Sequence, residues 1–357
     1  MNNKKIYENV KMKIAISKLN EEGIAMKQER LSLKRRFAIV ASIMILLTGV
    51  CYGKEIKEFA KKLFGENASD GVNIAIENDY VANPNTDYIE SNGIEVSINS
   101  FLLDDYNFDI SFNLKFSDDY NIDEMLKLDI MNLKVTNENG EKIFATRESD
   151  NEEAHNLYET EQEARKYFDY YNGAYSSYAE KINDKELIYY LTATGNSDFF
   201  PEANKLIVSF SKIGIDNHKL ENFEKDLPIY VGNWNYNIEV PEKMAKRSLE
   251  YYEVKEINDN NLLFDKAILS NTAFKVYLNN AYEIDMNYND YIENSKGEVF
   301  KPSMRSDGDG GLYTSEDNTL NYYNTFNLTS SNATDTLKLH LFKKDGKEVI
   351  IELIKKI

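Results

Sequence analysis

Residues that bind soft metals or form disulfides are nearly missing from this sequence. Its 357 residues include one cysteine and three histidines. His155, His218 and His340 lack any spacing typical of metal ligands, which argues against zinc and iron–sulfur sites. The single Cys51 has no partner for an intrachain disulfide. The fold must therefore depend on apolar packing, which is sufficient at this chain length.

Motifs typical of enzymes are also missing. There is no GxSxG sequence, phosphate-binding loop, HExxH motif or dinucleotide fingerprint. Asp104-Asp105 and Asp118-Asp119 are pairs of adjacent carboxylates, whereas the two carboxyls of a glycosidase must face each other across a sugar. We predict that these pairs are solvent-exposed turn residues, and that the protein is not an enzyme and has no cofactor.

One acidic turn, residues 306–311, has the opening of a calcium-binding loop. Asp307 and Asp309 are separated by one residue, as in such loops. The third ligand position and the closing glutamate are missing, so a polar turn is the favoured interpretation. No metal site is predicted, and calcium binding by this turn is left open.

Charge is missing from one long run near the N-terminus, Phe37–Gly53. A helix of this length spans about 26 Å, somewhat less than the hydrocarbon core of about 30 Å. Lys34, Arg35 and Arg36 stand directly before the run, and such basic clusters stay on the cytoplasmic side. We predict an uncleaved membrane anchor with its N-terminus in the cytoplasm and the rest of the chain outside. A cleaved signal peptide, a lipoprotein modified at Cys51 and a buried helix are the alternatives.

The run separates two parts of opposite charge. Residues 1–36 have ten Lys/Arg and four Glu, a net charge of +6. Residues 54–357 have 32 Lys/Arg and 56 Asp/Glu, a net charge of −24, and the two sum to the −18 of the whole chain. Binding to phosphates needs clustered Lys and Arg, so no nucleic-acid partner is predicted for the acidic part. The basic part suits an anionic lipid bilayer or an acidic protein partner.

The basic tail is predicted to be helical over residues 3–30, which are rich in helix-forming residues and contain no proline. Its apolar side chains lie on two opposite faces, which suits a helix held between two lobes of a partner. The alternative is a helix that lies on the membrane surface. The residues predicted to contact the partner are Ile6, Tyr7, Val10, Ile14, Ile16 and Leu19.

Beyond the run, the pattern changes from helical to alternating. Lys54–Phe64 is predicted to be a short helix, and Ser69-Asp70 is predicted to cap a second helix through Glu77. Alternating apolar and polar residues then predict strands, as at Ile94–Ile98 and Phe108–Phe116. Turns between paired strands are predicted at Asn137–Gly140, Ser270–Thr272 and Asp345-Gly346.

This pattern predicts a mainly β fold with two immunoglobulin-like β-sandwich modules outside the membrane. His340 alternates with Leu339 and Leu341 on one strand, so it is predicted to be exposed. A polar, tyrosine-rich insertion with helical stretches is predicted to interrupt the first module. The predicted organisation is a cytoplasmic tail (1–36), a transmembrane helix (37–53), a juxtamembrane helical segment (54–82), a first sandwich (83–240) with the insertion at 147–185, and a second sandwich (241–357).

Short motifs after the run carry a family resemblance. They are Leu63-Phe64-Gly65, Ser69-Asp70-Gly71-Val72, Ala75, Tyr80, Gly93-Ile94-Glu95-Val96 and the stretch Leu102–Phe112. These residues resemble a family of Gram-positive single-pass membrane proteins with a domain-of-unknown-function 4179 ectodomain. The match is clearest over residues 1–120.

The resemblance implies a regulatory function. Such proteins are often encoded beside extracytoplasmic-function sigma factors and are regarded as anti-sigma factors. It implies that the tail holds a sigma factor inactive, and that an unknown extracellular ligand or protein acting on the ectodomain releases it. The tail has no His or Cys, so it is not the zinc-binding anti-sigma domain. The alternative is a cell-surface binding or adhesion protein whose ectodomain is the functional part.

Overall fold

The computed structural model describes residues 69–357 except 85, 146–173, 196–199, 216–228, 247–248, 260–261, 280–282, 286–288, 304–309, 315–319 and 357. Lys54–Ile357 form one compact unit. The described part is mainly β, as predicted. The predicted tail and the uncharged run Phe37–Gly53 lie outside the described residues. Within the described ranges, no helix is long and apolar enough to cross a membrane.

The first module comprises the described residues from 69 to 246. Its helices are α1 (Asp70–Glu77), α2 (Ile122–Met125) and α3 (Glu242–Ala245). Its strands are β1 (Ile89–Ser91), β2 (Ile94–Leu103), β3 (Asn107–Phe116), β4 (Leu128–Met131), β5 (Lys134–Asn137), β6 (Lys142–Ala145), β7 (Ala174–Asn183), β8 (Glu186–Thr194), β9 (Lys205–Ile215) and β10 (Ile229–Glu239).

The strands of the first module form two antiparallel sheets. One sheet has the order β1-β2-β3-β8-β7, and the other has the order β10-β9-β5-β6, with β4 also paired to β9. At the centre of the first sheet, Phe112 lies opposite Ile98 on β2 and opposite Tyr189 on β8. The Phe112 ring also meets Phe210 of the second sheet edge to face, with 5.8 Å between ring centroids. The apolar faces of the two sheets therefore meet in one core.

Polar bonds from buried rings also join the two sheets. Trp234 on β10 is fully buried and stacks on Phe210, with 5.1 Å between ring centroids. Its Nε1 donates to the carbonyl oxygen of Ile94 on β2 at 3.4 Å. The hydroxyl of Tyr236 donates to the carbonyl oxygen of Val96 at 2.6 Å. Burying large rings costs little when their polar atoms find partners, so these residues anchor the core.

Helix α1 forms where the sequence predicted it. The Ser69 side chain accepts a hydrogen bond from the Val72 backbone N–H at 3.1 Å, which confirms the predicted cap. The helix ends at Glu77, also as predicted. Its buried face, with Val72, Ala75 and Ile76, packs in the core of the first module. The amphipathic pattern therefore attaches this helix to the first module.

The second module comprises the described residues from 249 to 356. All of its strands join one antiparallel sheet, with the order β15-β14-β18-β19-β11-β12-β13-β17-β16. The strands are β11 (Glu250–Ile257), β12 (Leu263–Leu269), β13 (Phe274–Asn279), β14 (Tyr291–Asn294), β15 (Val299–Phe300), β16 (Gly310–Thr314), β17 (Leu320–Phe326), β18 (Thr336–Phe342) and β19 (Glu348–Lys355).

The sheet of the second module rolls up and meets itself. The chain that follows β15 bridges to β17, with Pro302 opposite Phe326. The N–H of Ser303 donates to the carbonyl oxygen of Thr325 at 2.7 Å. Strand β15 is at one edge of the sheet, and β17 lies next to the other edge. These contacts therefore enclose a core that is separate from that of the first module and consists of buried residues from Tyr252 to Leu353. The rolled sheet is one continuous sheet, whereas a sandwich has two.

The strongest local patterns are confirmed. Ile94–Ile98 and Phe108–Phe116 lie in β2 and β3. The predicted turns at Ser270–Thr272 and Asp345-Gly346 join β12 to β13 and β18 to β19. The predicted turn Asn137–Gly140 likewise joins β5 and β6. Gly140 and Gly346 have φ of 80° and 81°, a conformation that glycine adopts readily.

The predicted insertion at 147–185 is wrong over its last part. Ala174–Asn183 is the ten-residue edge strand β7, which pairs with β8. Tyr178 packs on Tyr190 of β8 with 5.0 Å between ring centroids. An edge strand with polar residues on both faces lacks the alternation that reveals a half-buried strand. The earlier part of the predicted insertion, up to residue 173, lies outside the described residues.

Candidate functional site

The predicted site residues all lie outside the part of the chain that the structure describes. The partner-contacting residues of the tail and the basic cluster at 34–36 precede residue 69, and Asp307 and Asp309 lie in the gap at 304–309. Among the described residues, no group of three or more His, Cys, Asp and Glu is placed to hold a metal ion. The candidate site therefore comes from contacts between segments that are distant in sequence.

Two turns from different modules meet around one carboxylate, and we call this contact the joint. Asp104 follows β2 in the first module and is 6% exposed. Its Oδ1 accepts from the backbone N–H groups of Tyr106 and Asn107, both at 2.8 Å. Its Oδ2 accepts from the Ser270 hydroxyl at 2.8 Å, from the Thr272 N–H at 2.9 Å and from the Thr272 hydroxyl. One carboxylate thus receives donors from both modules.

A second side chain crosses the joint. Asn107 begins β3, and its Nδ2 donates to the Thr272 Oγ1 at 2.5 Å. The Thr272 hydroxyl therefore accepts from one residue of the first module and donates to another, Asp104. Charge-assisted hydrogen bonds in a buried setting are stronger than neutral ones. The two turns are accordingly held in one defined position.

Helix α1 also contacts the second module at the joint. The N–H of Gly71 donates to the Asn327 Oδ1 at 3.1 Å, and the Asn78 side chain donates to the Ser331 hydroxyl at 3.1 Å. A Cβ atom at Gly71 would lie 2.0 Å from the carbonyl oxygen of Thr272. Glycine is therefore required at this position, because any larger residue would collide with backbone. The helix packs in the first core and touches the second module at both of its ends.

A buried lysine extends the joint. Lys275 on β13 is 1% exposed. Its ammonium lies 4.9 Å from the ring centroid of Tyr323, 5.2 Å from that of Tyr106 and 5.7 Å from that of Tyr277. Tyr106 belongs to the first module and the other two rings to the second. Burial, followed by the influence of Tyr277 and Asp105, raises the pKa of Tyr106 well above its usual range, so this phenol remains neutral.

The prediction that Asp104-Asp105 is a solvent-exposed turn is wrong. Asp105 is 3% exposed, and Asp104 is almost as deeply buried. Both residues do lie in a turn, between β2 and β3, but the turn of the second module covers it. Asp118 and Asp119, at the other end of β3, are exposed turn residues as predicted. A polar turn in sequence does not reveal whether another module packs on it.

A second polar cluster lies inside the second module. Asp290 is fully buried, and its Oδ2 accepts from the Tyr322 hydroxyl at 2.8 Å. Its Oδ1 accepts from the Phe342 N–H at 3.1 Å, and Asn324 donates to the Tyr322 hydroxyl at 2.7 Å. Burial raises the pKa of the Asp290 carboxyl to about 7, and the hydrogen bonds only partly oppose this effect. The charged form of Asp290 is therefore unfavourable in the folded protein.

The prediction that His340 is exposed is also wrong, because it is 6% exposed. Its ring stacks on Tyr291, directly opposite on β14, with 4.2 Å between ring centroids and 9° between planes. Its Nδ1 lies 2.8 Å from the Glu348 Oε1 on β19. Alternation places His340 on the opposite face from Leu339 and Leu341, but neighbouring side chains cover that face as well.

The joint is a structural contact that fixes the two modules to each other. The Asp104 carboxylate already accepts five hydrogen bonds from the protein, so its lone pairs are directed at protein groups. Three of these five bonds come from Ser270 and Thr272, which are 166 and 168 residues away in sequence. No local motif could have revealed this arrangement. The polar turns at Asp104 and at Ser270–Thr272 were visible in the sequence, but their contact was not.

Comparison with known proteins leaves the family open. No family model matches the chain, and no curated protein does. A similar solved structure is the crystal structure of the conserved domain protein from Bacillus anthracis, with 14% sequence identity and a TM-score of 0.41. The alignment covers 78% of this chain and 91% of that one. This likeness is too distant to bear on fold or function.

Proposed function

We propose that this protein is a membrane-anchored regulator that resembles anti-sigma factors. In this proposal the tail of residues 1–36 binds an extracytoplasmic-function sigma factor in the cytoplasm. The run Phe37–Gly53 crosses the membrane, and the two modules, of which the first has the two packed sheets of an immunoglobulin-like sandwich, respond to a signal outside. The distribution of charge supports this layout, since a basic tail and a strongly acidic main part flank the uncharged run.

The observation that carries the proposal is the position of α1. This helix follows the predicted anchor in sequence and contacts both modules. Its buried face packs in the first module, and Gly71 and Asn78 form hydrogen bonds with the second. A ligand that changes how the modules meet would change the contacts of this helix, because the joint and the helix share Thr272. A signal could in this way travel from the ectodomain toward the anchor. A ligand can shift such an equilibrium only by its difference in affinity for the two arrangements.

The binding of a sigma factor is tested with the full chain. Detergent-solubilised, tagged protein should co-purify with a sigma factor, identified by mass spectrometry. The variant Ile6→Asp, Val10→Asp, Ile14→Asp should lose it, because charges on the apolar face of the tail oppose burial. The matched control, Asn2→Asp, Ser17→Asp, Gln28→Asp, adds the same charge at polar positions and should retain it. Absence of a sigma factor from the wild-type preparation would contradict the proposal.

The predicted topology has its own test. In a Cys51→Ala background, Lys296→Cys lies in an exposed turn of the second module and should react with a membrane-impermeant maleimide on intact cells. Asn2→Cys should react only after the cells are opened. Deleting residues 1–30 distinguishes the regulator from the adhesion alternative. If the protein is a regulator, the deletion should release its target genes from repression. If it is an adhesin, expression of those genes should not change.

A further inference from the structure

The sheet of the second module has an opening between two neighbouring strands. β11 and β12 pair over three positions only, from Glu250 opposite Leu269 to Tyr252 opposite Ala267. Beyond this point β11 continues to pair with β19, and β12 continues to pair with β13. The two strands therefore diverge inside a continuous sheet and leave a cleft of about 450 Å³.

Bulges in both strands produce the opening. The register of β11 against β19 shifts between Val254 and Glu256, and that of β12 against β13 shifts between Phe264 and Lys266. A bulge bends its strand and increases the local twist. Because both bulges occur just past the last β11–β12 pair, the strands turn away from each other there. Bulges are often found where a protein positions groups for binding.

The opening exposes the core of the second module. Val254, Ile257 and Phe264 are half-buried hydrophobic residues that pack against this core, and all three line the cleft. Leu263, on the outer face of β12, is 54% exposed. Apolar side chains that are left half covered gain free energy when a partner removes them from water.

Main-chain groups also face the opening. The carbonyl oxygen of Tyr251 accepts from the Lys356 N–H, on the β19 side, whereas Tyr252 pairs with Ala267 on the β12 side. Backbone groups of an antiparallel strand point alternately to its two neighbours. The N–H and C=O of Val254 therefore point into the cleft. A strand edge of this kind is a template for pairing with another extended chain.

The outer rim of the opening is acidic. Glu253 and Glu256 on β11 and Asp265 on β12 are exposed, and none of the three pairs with a lysine among the described residues. The two lysines of these strands are engaged elsewhere: Lys255 pairs with Glu352 at 3.1 Å, and Lys266 lies over the Tyr277 ring. The cleft lining itself contains Glu253, Asp265, Lys266 and Lys356. The ammonium of Lys266 is directed at the Tyr277 ring, so with Glu256 beside the cleft the rim has three carboxylates against two lysines. The rim therefore favours a cationic ligand.

We propose that this opening binds an extended peptide in which apolar residues alternate with lysine or arginine. The apolar side chains of such a peptide would cover Val254 and Phe264 on the core side. Its cationic side chains would lie beside Glu253 and Asp265 on the outer side, since successive residues of a strand point to opposite faces. Its main chain would pair with the groups that β11 directs into the cleft. The inference goes beyond the proposed regulation and does not depend on a sigma factor.

The first test uses a peptide probe and the purified full chain. A fluorescently labelled acetyl-Lys-Val-Lys-Val-Lys-amide should bind, as followed by fluorescence anisotropy. The same peptide with N-methylated valines keeps its charge but loses two main-chain donors, and its dissociation constant should rise by about tenfold. In hydrogen-exchange measurements, the probe should slow exchange at the Val254 amide. Equal affinity for both peptides would show that charge alone drives binding and would overturn the proposal.

The second test reverses the charge of the rim. Glu253→Lys with Asp265→Lys should weaken binding of the lysine peptide by about tenfold and should create binding to acetyl-Glu-Val-Glu-Val-Glu-amide. The control is Glu95→Lys with Asp119→Lys, which makes the same change at exposed positions of the first module and should have no effect. If both pairs of substitutions weaken binding equally, or if the wild-type chain binds neither peptide, the proposal is wrong.

Discussion

Asp104→Asn should uncouple the unfolding of the two modules. The substitution preserves the size of the side chain but replaces one acceptor oxygen with a donor. The amide oxygen can accept from Tyr106 and Asn107 or from Thr272, but it cannot serve both turns. Of the three hydrogen bonds from the second module to Oδ2, the bond from the Thr272 N–H is then lost, and the Ser270 and Thr272 hydroxyls lose their charged partner. A hydrogen bond to a charged group is worth about 1.5 kcal/mol or more. We therefore expect the contact to weaken by about 3 kcal/mol.

The single tryptophan provides the assay. Trp234 lies in the core of the first module, so its fluorescence follows that module, whereas far-ultraviolet circular dichroism follows the strands of both modules. In urea, the wild-type chain should show coincident transitions by the two probes. In Asp104→Asn the transitions should separate, because each module unfolds without the support of the other.

Asp119→Asn is the matched control. Asp119 occupies an exposed turn at the other end of β3, and the same substitution there should change the free energy of unfolding by less than about 0.5 kcal/mol. The reasoning is refuted if Asp104→Asn behaves like this control, with transitions that stay coincident and midpoints that do not move. In that case the joint would be a contact without energetic consequence.

Two further predictions concern a carboxyl buried inside the second module and a glycine at the joint. The Asp290 pKa is raised from 3.8 to about 7, so its stabilising contribution is complete below pH 4 and is lost as the pH rises to 7. The free energy of unfolding should fall by on the order of 4 kcal/mol over that interval, and Asp290→Asn should flatten the profile measured by urea titration. Gly71→Val should lower the free energy of unfolding by about 2 kcal/mol or more, because its Cβ would meet the Thr272 carbonyl oxygen. Asn73→Val on the same helix is the control for β-branching, and equal melting temperatures for the two variants would contradict the steric argument.

Local features of this fold could be predicted because the residues that decide them are adjacent in sequence. The Ser69 cap, the strand at Ile94–Ile98 and the turn at Asn137–Gly140 each depend on a few neighbouring side chains. The edge strand Ala174–Asn183 was missed because its exposed positions carry no periodic pattern. His340 was placed on the correct strand but with the wrong exposure, because Tyr291 comes from a different strand.

The joint could not be predicted for a related reason. Asp104 and Ser270–Thr272 were both visible as polar turns, and polar turns are usually exposed. Their burial depends on the packing of one module on another across more than 160 residues of chain. The same holds for Gly71, whose role becomes clear only from the backbone oxygen beside it. Contacts at long sequence separation leave no signature in a single sequence.

The closure of the second module has a consequence for the behaviour of the protein at high concentration. The edge strand β15 has two residues, and the chain after it directs its backbone groups to β17 through Pro302 and Ser303. A sheet edge that is short and already paired offers little template to the edge of another molecule. Together with a net charge of −24 over residues 54–357, this arrangement should disfavour intermolecular strand pairing at this edge of the second module. Closure of the sheet therefore removes one edge at which another copy of the chain could add a strand.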